Sequence, residues 1–279
     1  MSSYSCAAAC GAIQYKISIN RNAIHIGGNS LADNMKYKEQ ISLYQSDSPI
    51  MNDAIDRIII KLYAYKEQYQ KNTILLSGCG SSNGTTTIAI NLAIALAGAG
   101  WNTLLVDADM RKSVEYKRLS DSVSRLSDCL EGNSEIVDVI CPTNQAKLHY
   151  VPGGVIKTNA VRLLCSENMQ NFVKTTSEKY DFVVFDCPSL TIVPDATVLF
   201  PFVDCIALVL ALDITTKKQL AKAKLEVEKY ADKYAGLIVN RADKHRYVRA
   251  FPQYNYFEES NMRKSHKRLL RNKADGKGE

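Results

Sequence analysis

The stretch Ile74-Leu75-Leu76-Ser77-Gly78-Cys79-Gly80-Ser81-Ser82-Asn83-Gly84-Thr85-Thr86-Thr87 decides how the chain is read, because an apolar strand pattern gives way there to small residues and then to a helix pattern over Ile88–Ala97. Glycine and serine let a main chain approach an anion closely. The helix that follows offers unpaired amides at its positive end. Thr86 falls where a hydroxyl would ligate Mg²⁺. The loop departs from the full P-loop pattern at Thr85, which stands where a lysine would reach the β- and γ-phosphates. Taken alone, the segment is either a phosphate cradle or an ordinary glycine-rich turn.

Working outward, short β-branched runs alternate with helix-length patterns. Strands are expected at Thr73–Ser77, Thr103–Asp107, Leu148–Val151, Phe182–Asp186, Cys205–Leu210 and Gly236–Asn240, with helices at Thr85–Ala97, Ala160–Glu178 and Thr216–Tyr234. Strands apolar on both faces and joined by helical crossovers predict an α/β fold, a doubly wound and mainly parallel sheet covered on both sides. In such a sheet ligands bind beyond the carboxyl ends of the strands. Two of those ends carry acids: Leu104-Leu105-Val106-Asp107-Ala108-Asp109-Met110-Arg111 and Phe182-Val183-Val184-Phe185-Asp186-Cys187-Pro188. Charges there are costly unless they meet a metal, a phosphate or one another. Each acid alone could cap a helix; with the loop, at matching strand ends, they favour nucleotide binding.

At 279 residues the chain has room for one well-buried core with appendages rather than two large domains. Its 46% apolar content and mixed charge are those of a globular protein. The reading divides it into an N-terminal arm over 1–45, a P-loop domain over 46–250 and a basic tail over 251–279. Ser48-Pro49 opens a helix with apolar residues at Met51, Ile55, Ile58, Ile59, Leu62 and Tyr63. The net charge of +6 is concentrated in Arg263, Lys264, Lys267, Arg268, Arg271, Lys273 and Lys277. Such a tail is either a solvated end or a contact for an acidic partner or a membrane surface, with nucleic acid less favoured. The eight cysteines show no paired CxxC spacing, which argues against zinc. No export signal or membrane-length apolar run is present, so a cytoplasmic protein with reduced thiols is expected.

The glycine-rich loop, Asp107-x-Asp109-x-Arg111 and Phe185-Asp186-Cys187-Pro188 together resemble the Walker A, A′ and B motifs of the bacterial tyrosine kinases, in the MinD/ParA-like branch of P-loop proteins. The similarity continues through Leu126-Ser127-Asp128, Glu131-Gly132, Pro152-Gly153-Gly154, Leu163-Leu164, Pro194-Asp195-Ala196 and Val239-Asn240-Arg241. The resemblance implies ATP and Mg²⁺ as cofactors, with Thr86, Asp109 and Asp186 holding the metal directly or through water. Main-chain amides of Ser82, Asn83, Gly84, Thr85, Thr86 and Thr87 would bind phosphates, and Arg111 would help neutralise them. Asp107 would polarise an attacking tyrosine hydroxyl, and Asn240, beside Arg241, would meet the adenine base.

What the resemblance implies in turn is an ATP-dependent protein-tyrosine autokinase that regulates capsular or exopolysaccharide polymerisation and export. It would form a homo-oligomer recruited to the inner face of the plasma membrane by a membrane-embedded polysaccharide co-polymerase adaptor. Its phosphoacceptors would be Tyr247, Tyr254 and Tyr256, beside Phe251 and Phe257. The chain departs from the family at Thr85, and at Asp53, Asp56 and Ile59, where a Glu-x-x-Arg-x-x-Arg assembly motif would fall. Two alternatives stay open: a degenerate nucleotide-binding scaffold of the same machinery, and a MinD/ParA-type positioning ATPase. The latter's early signature lysine is missing from Gly78-Cys79-Gly80.

Overall fold

In the run Thr73-Ile74-Leu75-Leu76-Ser77-Gly78 every side chain is buried, which a strand achieves only when both of its faces are covered. A computed structural model describes residues 18–20, 40–111, 123–154, 160–252 and 254, the first three by backbone alone. The chain divides into two compact units, Met1–Asn240 and Arg241–Glu279.

Among the described residues the strands of the first unit are β1 (Ser18–Asn20), β2 (Gln40–Ser42), β3 (Thr73–Gly78), β4 (Thr103–Asp107), β5 (Cys141–Pro142), β6 (Leu148–Val151), β7 (Phe182–Cys187), β8 (Cys205–Ala211) and β9 (Tyr234–Asn240). Its helices are α1 (Pro49–Tyr69), α2 (Thr85–Gly98), α3 (Leu126–Leu130), α4 (Ile136–Val139), α5 (Ala160–Leu164), α6 (Glu167–Lys179) and α7 (Lys217–Val227). The main sheet runs β5-β6-β4-β7-β3-β8-β9. All neighbours are parallel except β5, which pairs antiparallel with β6. The expected doubly wound sheet is present.

Alternation within the strands sorts the core into two layers. Leu75, Val106, Val183, Phe185 and Leu208 join one layer with α3, α5, α6 and α7. Ile74, Leu76, Leu105, Val184 and Val209 join the other with α1 and α2. Helix α2 is buried on nearly all sides, from Ile88 to Ile94 and again at Leu96 and Ala97, which explains its uninterrupted apolar sequence. Helix α1 starts as its sequence signals, with Ser48 accepting the Met51 amide and Pro49 in the first turn, and it buries Ile55, Ile59 and Leu62.

Two expected helix spans are corrected. The helix expected over Ala160–Glu178 is two helices: Ser166 caps α6, its hydroxyl accepting the Met169 amide while donating to the Leu163 carbonyl. The helix expected over Thr216–Tyr234 stops at Val227, a 3₁₀ turn covers Glu228–Tyr230, and Tyr234 already belongs to β9. The arm expected over 1–45 reaches the core before its end. Ile41 and Leu43 are buried, Ile41 bridges to Thr143, and the Leu43 amide donates to Asn144 Oδ1 at 2.7 Å.

In the second unit α8 (Lys244–Ala250) is capped by Asp243, whose carboxylate accepts the Arg246 amide at 2.8 Å. The Tyr247 ring lies 5.0 Å from that of Phe251 and 5.5 Å from that of Tyr254.

Candidate functional site

The loop over residues 78–87 leaves the middle of the sheet between β7 and β8, so its base is fixed by both neighbours. The Cys79 amide donates to the Val209 carbonyl at 2.8 Å. The Gly78 carbonyl accepts the Leu190 amide and the Ser189 hydroxyl, and the Cys79 carbonyl accepts the Thr191 hydroxyl at 2.9 Å.

Above this base the path is set by Asn83, which is 2% exposed. Its Oδ1 accepts the Gly80 amide at 2.6 Å, and its Nδ2 donates to the Ser81 carbonyl at 3.3 Å and to Thr215 Oγ1 at 2.9 Å. Its own carbonyl accepts Asn240 Nδ2 from the end of β9 at 2.9 Å. Two residues of the loop have left-handed backbones, Ser82 at φ 55° and Gly84 at φ 79°. Gly84 is the N-cap of α2 and supplies no side-chain cap. A Cβ on Gly84 would lie 2.4 Å from Asn240 Nδ2, so glycine is required there by both conformation and space. Thr85, Thr86 and Thr87 follow, half-buried in the first turn of α2.

Alongside the loop, the register pairs Asp107 with Asp186 across β4 and β7, and Asp186 with Leu76 of β3. Both carboxylates are buried, as is that of Asp109. Asp107 Oδ1 accepts the Asp109 amide at 3.1 Å, and its Oδ2 accepts the Tyr150 hydroxyl at 3.3 Å. Gly153 lets the segment after β6 close on this acid, since a Cβ there would lie 2.5 Å from the Asp107 carbonyl oxygen. Asp109 Oδ1 in turn accepts the Arg111 amide at 3.3 Å.

Arg111 does not stand as an isolated cation. Its guanidinium donates through Nε and Nη2 to the buried carboxylate of Asp195, the Nη2 contact measuring 3.0 Å. That hydrogen bond, before the charges of Asp195 and Asp109, raises its pKa. Burial and then the charge of Asp186 raise the pKa of Tyr150, and burial followed by Asp186, Asp109 and Asp195 raises that of Cys187. Both side chains therefore stay neutral beside the acids.

Of the residues singled out in the sequence, the fold brings the loop, Asp107, Asp109, Asp186, Arg111 and Asn240 to one end of the sheet. Arg241 opens the second unit with a left-handed backbone at φ 60°. Tyr247 and Tyr254, two of the expected phosphoacceptors, are buried in an aromatic cluster, Tyr247 within α8. Tyr256 lies outside the described residues. Where the assembly motif would fall, Asp53 pairs with Arg57 at 2.8 Å and Ile59 belongs to the core. Sequence reasoning missed Tyr150 and Thr215 as site residues. The one signal for Tyr150 was a polar-tipped ring near the carboxyl end of an apolar strand.

Hydroxyl and carboxylate donors at the loop suit a small hard cation. Among the described residues no group of three or more His, Cys, Asp or Glu could hold a metal ion by itself. Mg²⁺ usually keeps waters and binds through one or two carboxylates plus a ligand's phosphates. Among the same residues no helix is long and apolar enough to cross a membrane.

A glycine-rich loop between a buried strand and a buried helix, with acids at the ends of two neighbouring strands, defines the P-loop class of α/β folds. The sequence matches the AAA domain family over residues 71–201. It is 30% identical over 199 residues to the tyrosine-protein kinase CpsD of Streptococcus agalactiae, covering 70% of this chain and 86% of that protein. The solved chimerical protein CapA2B2 superimposes with a TM-score of 0.64 at 30% identity, over 71% of this chain and 87% of that one. The septum site-determining protein MinD of Pyrococcus horikoshii, solved with Mg-ADP, shares the fold at a TM-score of 0.53 and 24% identity, over 62% of this chain and 72% of that one. The chain belongs to the bacterial tyrosine-kinase family.

Proposed function

We propose that this chain binds ATP with Mg²⁺ at the loop of residues 78–87 and transfers a phosphoryl group to tyrosine, its own or a partner's, in the control of capsular or exopolysaccharide polymerisation and export. The observation that carries the reading is the pairing in register of buried Asp107 and Asp186 beside a loop whose Gly84 is keyed to Asn240. Buried acids are costly unless paired, hydrogen-bonded or bound to a metal, and their gathering beside one loop favours a cation-assisted phosphate site. The relatives named as tyrosine-protein kinases supply the reaction class.

When bound, ATP supplies the transferable phosphoryl group and Mg²⁺ offsets its charge. Amides from Ser82 to Thr87 hold the phosphates, and Thr86, Asp109 and Asp186 hold the metal, directly or through water. Asp107, fixed by Tyr150 and the Asp109 amide, accepts a hydrogen bond from the incoming tyrosine hydroxyl and raises its nucleophilicity. Asn240 braces the loop through Nδ2, and in this reading it also meets the adenine base. Tyr247, Tyr254 and Tyr256 are the acceptors in this reading. Tyr247 and Tyr254 must leave their cluster to react, which makes autophosphorylation a gated event.

A homo-oligomer recruited to the membrane face by a polysaccharide co-polymerase adaptor completes the proposal. Thr85 and the Arg111–Asp195 pair favour a second reading, a nucleotide-binding scaffold that transfers phosphate slowly or not at all. The test is to incubate the purified chain with Mg-ATP, with and without the adaptor's cytoplasmic segment, and to follow nucleotide-dependent stabilisation and phosphotyrosine together. Wild type should be stabilised and Asp186→Asn much less so. Phosphotyrosine at the tail supports the kinase, stabilisation without it supports the scaffold, and no stabilisation at millimolar nucleotide defeats both.

A further inference from the structure

P-loops rely on a lysine to draw the phosphates in, and here that position is Thr85. A loop without the cation must do more through its backbone, so the decisive property becomes how well its amides are held before the phosphate arrives. Four hydrogen bonds converge on the residue just before Gly84. Asn83 is 2% exposed, and its side-chain oxygen and both amide hydrogens are engaged, by the Gly80 amide, the Ser81 carbonyl and Thr215 Oγ1. Its carbonyl receives Asn240 Nδ2.

These contacts tie together three separate parts of the fold: the loop itself, the β8–α7 connection through Thr215, and the end of β9 through Asn240. Thr215 is locked in its turn, since its hydroxyl also accepts the Ala211 amide at 2.9 Å. Ser82, in the left-handed region at φ 55°, sits between the anchored residues 81 and 83. A non-glycine residue holds that conformation only where its surroundings over-determine it. Left-handed residues at 82 and 84 stand on either side of Asn83, an alternation of backbone hand of the kind that forms an anion nest.

We infer that Asn83 is the positioning residue of this loop: its buried amide side chain, keyed to Thr215 and to the Gly80 amide, pre-forms the phosphate-binding backbone and takes over the organising part of the missing lysine's task. The inference rests on the nucleotide reading of the site. It adds that phosphate affinity depends on the β8–α7 connection, a segment that carries none of the residues expected to touch nucleotide.

Isothermal titration with Mg-ATP and with inorganic tripolyphosphate, which carries no base or sugar, isolates the loop. Asn83→Ala should weaken both ligands at least about tenfold, and Thr215→Val, which removes one hydrogen bond and keeps the shape, by about threefold. Hydrogen exchange of the ligand-free protein should show the Gly80 amide losing protection in Asn83→Ala. Should Asn83→Ala fold and bind tripolyphosphate like wild type, the inference is wrong and Asn83 merely packs. If Asn83→Ala does not fold, Thr215→Val decides, and unchanged affinity there also overturns it. Wild type that binds neither ligand defeats the nucleotide reading itself, a result distinct from a wild type that binds and a variant that binds equally.

Discussion

At the scale of single residues, Thr85 carries the most chemical consequence. It begins α2 directly after Gly84, so a longer side chain there would extend from the first turn of the helix. Replacing it with lysine should place an ammonium near the β- and γ-phosphates and raise ATP affinity about tenfold. The gain in transfer rate should be larger, roughly 10²–10³, if Asp107 and the metal ligands are already placed. Titration and phosphotyrosine formation measure the two separately. A lysine that lowers affinity and destabilises the protein would mean that the loop does not follow the P-loop path. The site's acids were legible in the sequence because a charge ending an apolar strand is costly enough to need a reason. Tyr150, Thr215 and the role of Asn83 were not, because each acts across a distance in sequence. Asn83 meets Thr215 and Asn240 only once β8 has paired with β3 and β9 with β8.

At the scale of elements, strands were read almost to the residue, and helices less well. Strand limits follow from burial on both faces, a strong local signal: the sequence placed a strand at Thr103–Asp107 and the fold has β4 over the same residues. The break between α5 and α6 follows instead from one hydroxyl choosing to cap. Ser166→Ala should cost about 1 kcal/mol of stability, since the Met169 amide then loses its acceptor, and chemical denaturation would read it. A loss well above that would mean the Ser166 hydroxyl matters more through the Leu163 carbonyl. The edge strand β5 escaped notice because it has two residues and pairs antiparallel, leaving no periodicity to find.

At the scale of the whole molecule, burial ties stability to pH. The thiols of Cys79 and Cys129 are pushed up to about 11 and that of Cys205 to about 12, in each case chiefly by burial, from an ordinary 9.0. An acid that stays protonated when folded but ionises when unfolded stabilises the fold fully below its unfolded pKa. That stability is lost as pH rises from about 9 toward 11 and 12, because the native state then binds more protons than the unfolded one. Under reducing conditions the melting temperature should therefore fall across that window, with Cys205→Ala flattening the decline. A flat profile would count against the buried, neutral thiols. The fold also extends further toward the N-terminus than its pattern indicated. A chain beginning at Ser46 lacks the fully buried Ile41 and Leu43 and should lose several kcal/mol in urea unfolding, since removing one such side chain costs about 2–5 kcal/mol. The incoming segment is fastened in series: the Gln40 side chain to the Thr143 carbonyl, the Leu43 amide to Asn144, and last the Ser46 amide to Asn91, whose Nδ2 holds the Thr87 carbonyl in the first turn of α2. Tension applied ahead of residue 40 should load the Gln40 and Leu43 fastenings before the Ser46–Asn91 contact, so those first fastenings are expected to act as a mechanical fuse for the helix that begins at Thr85.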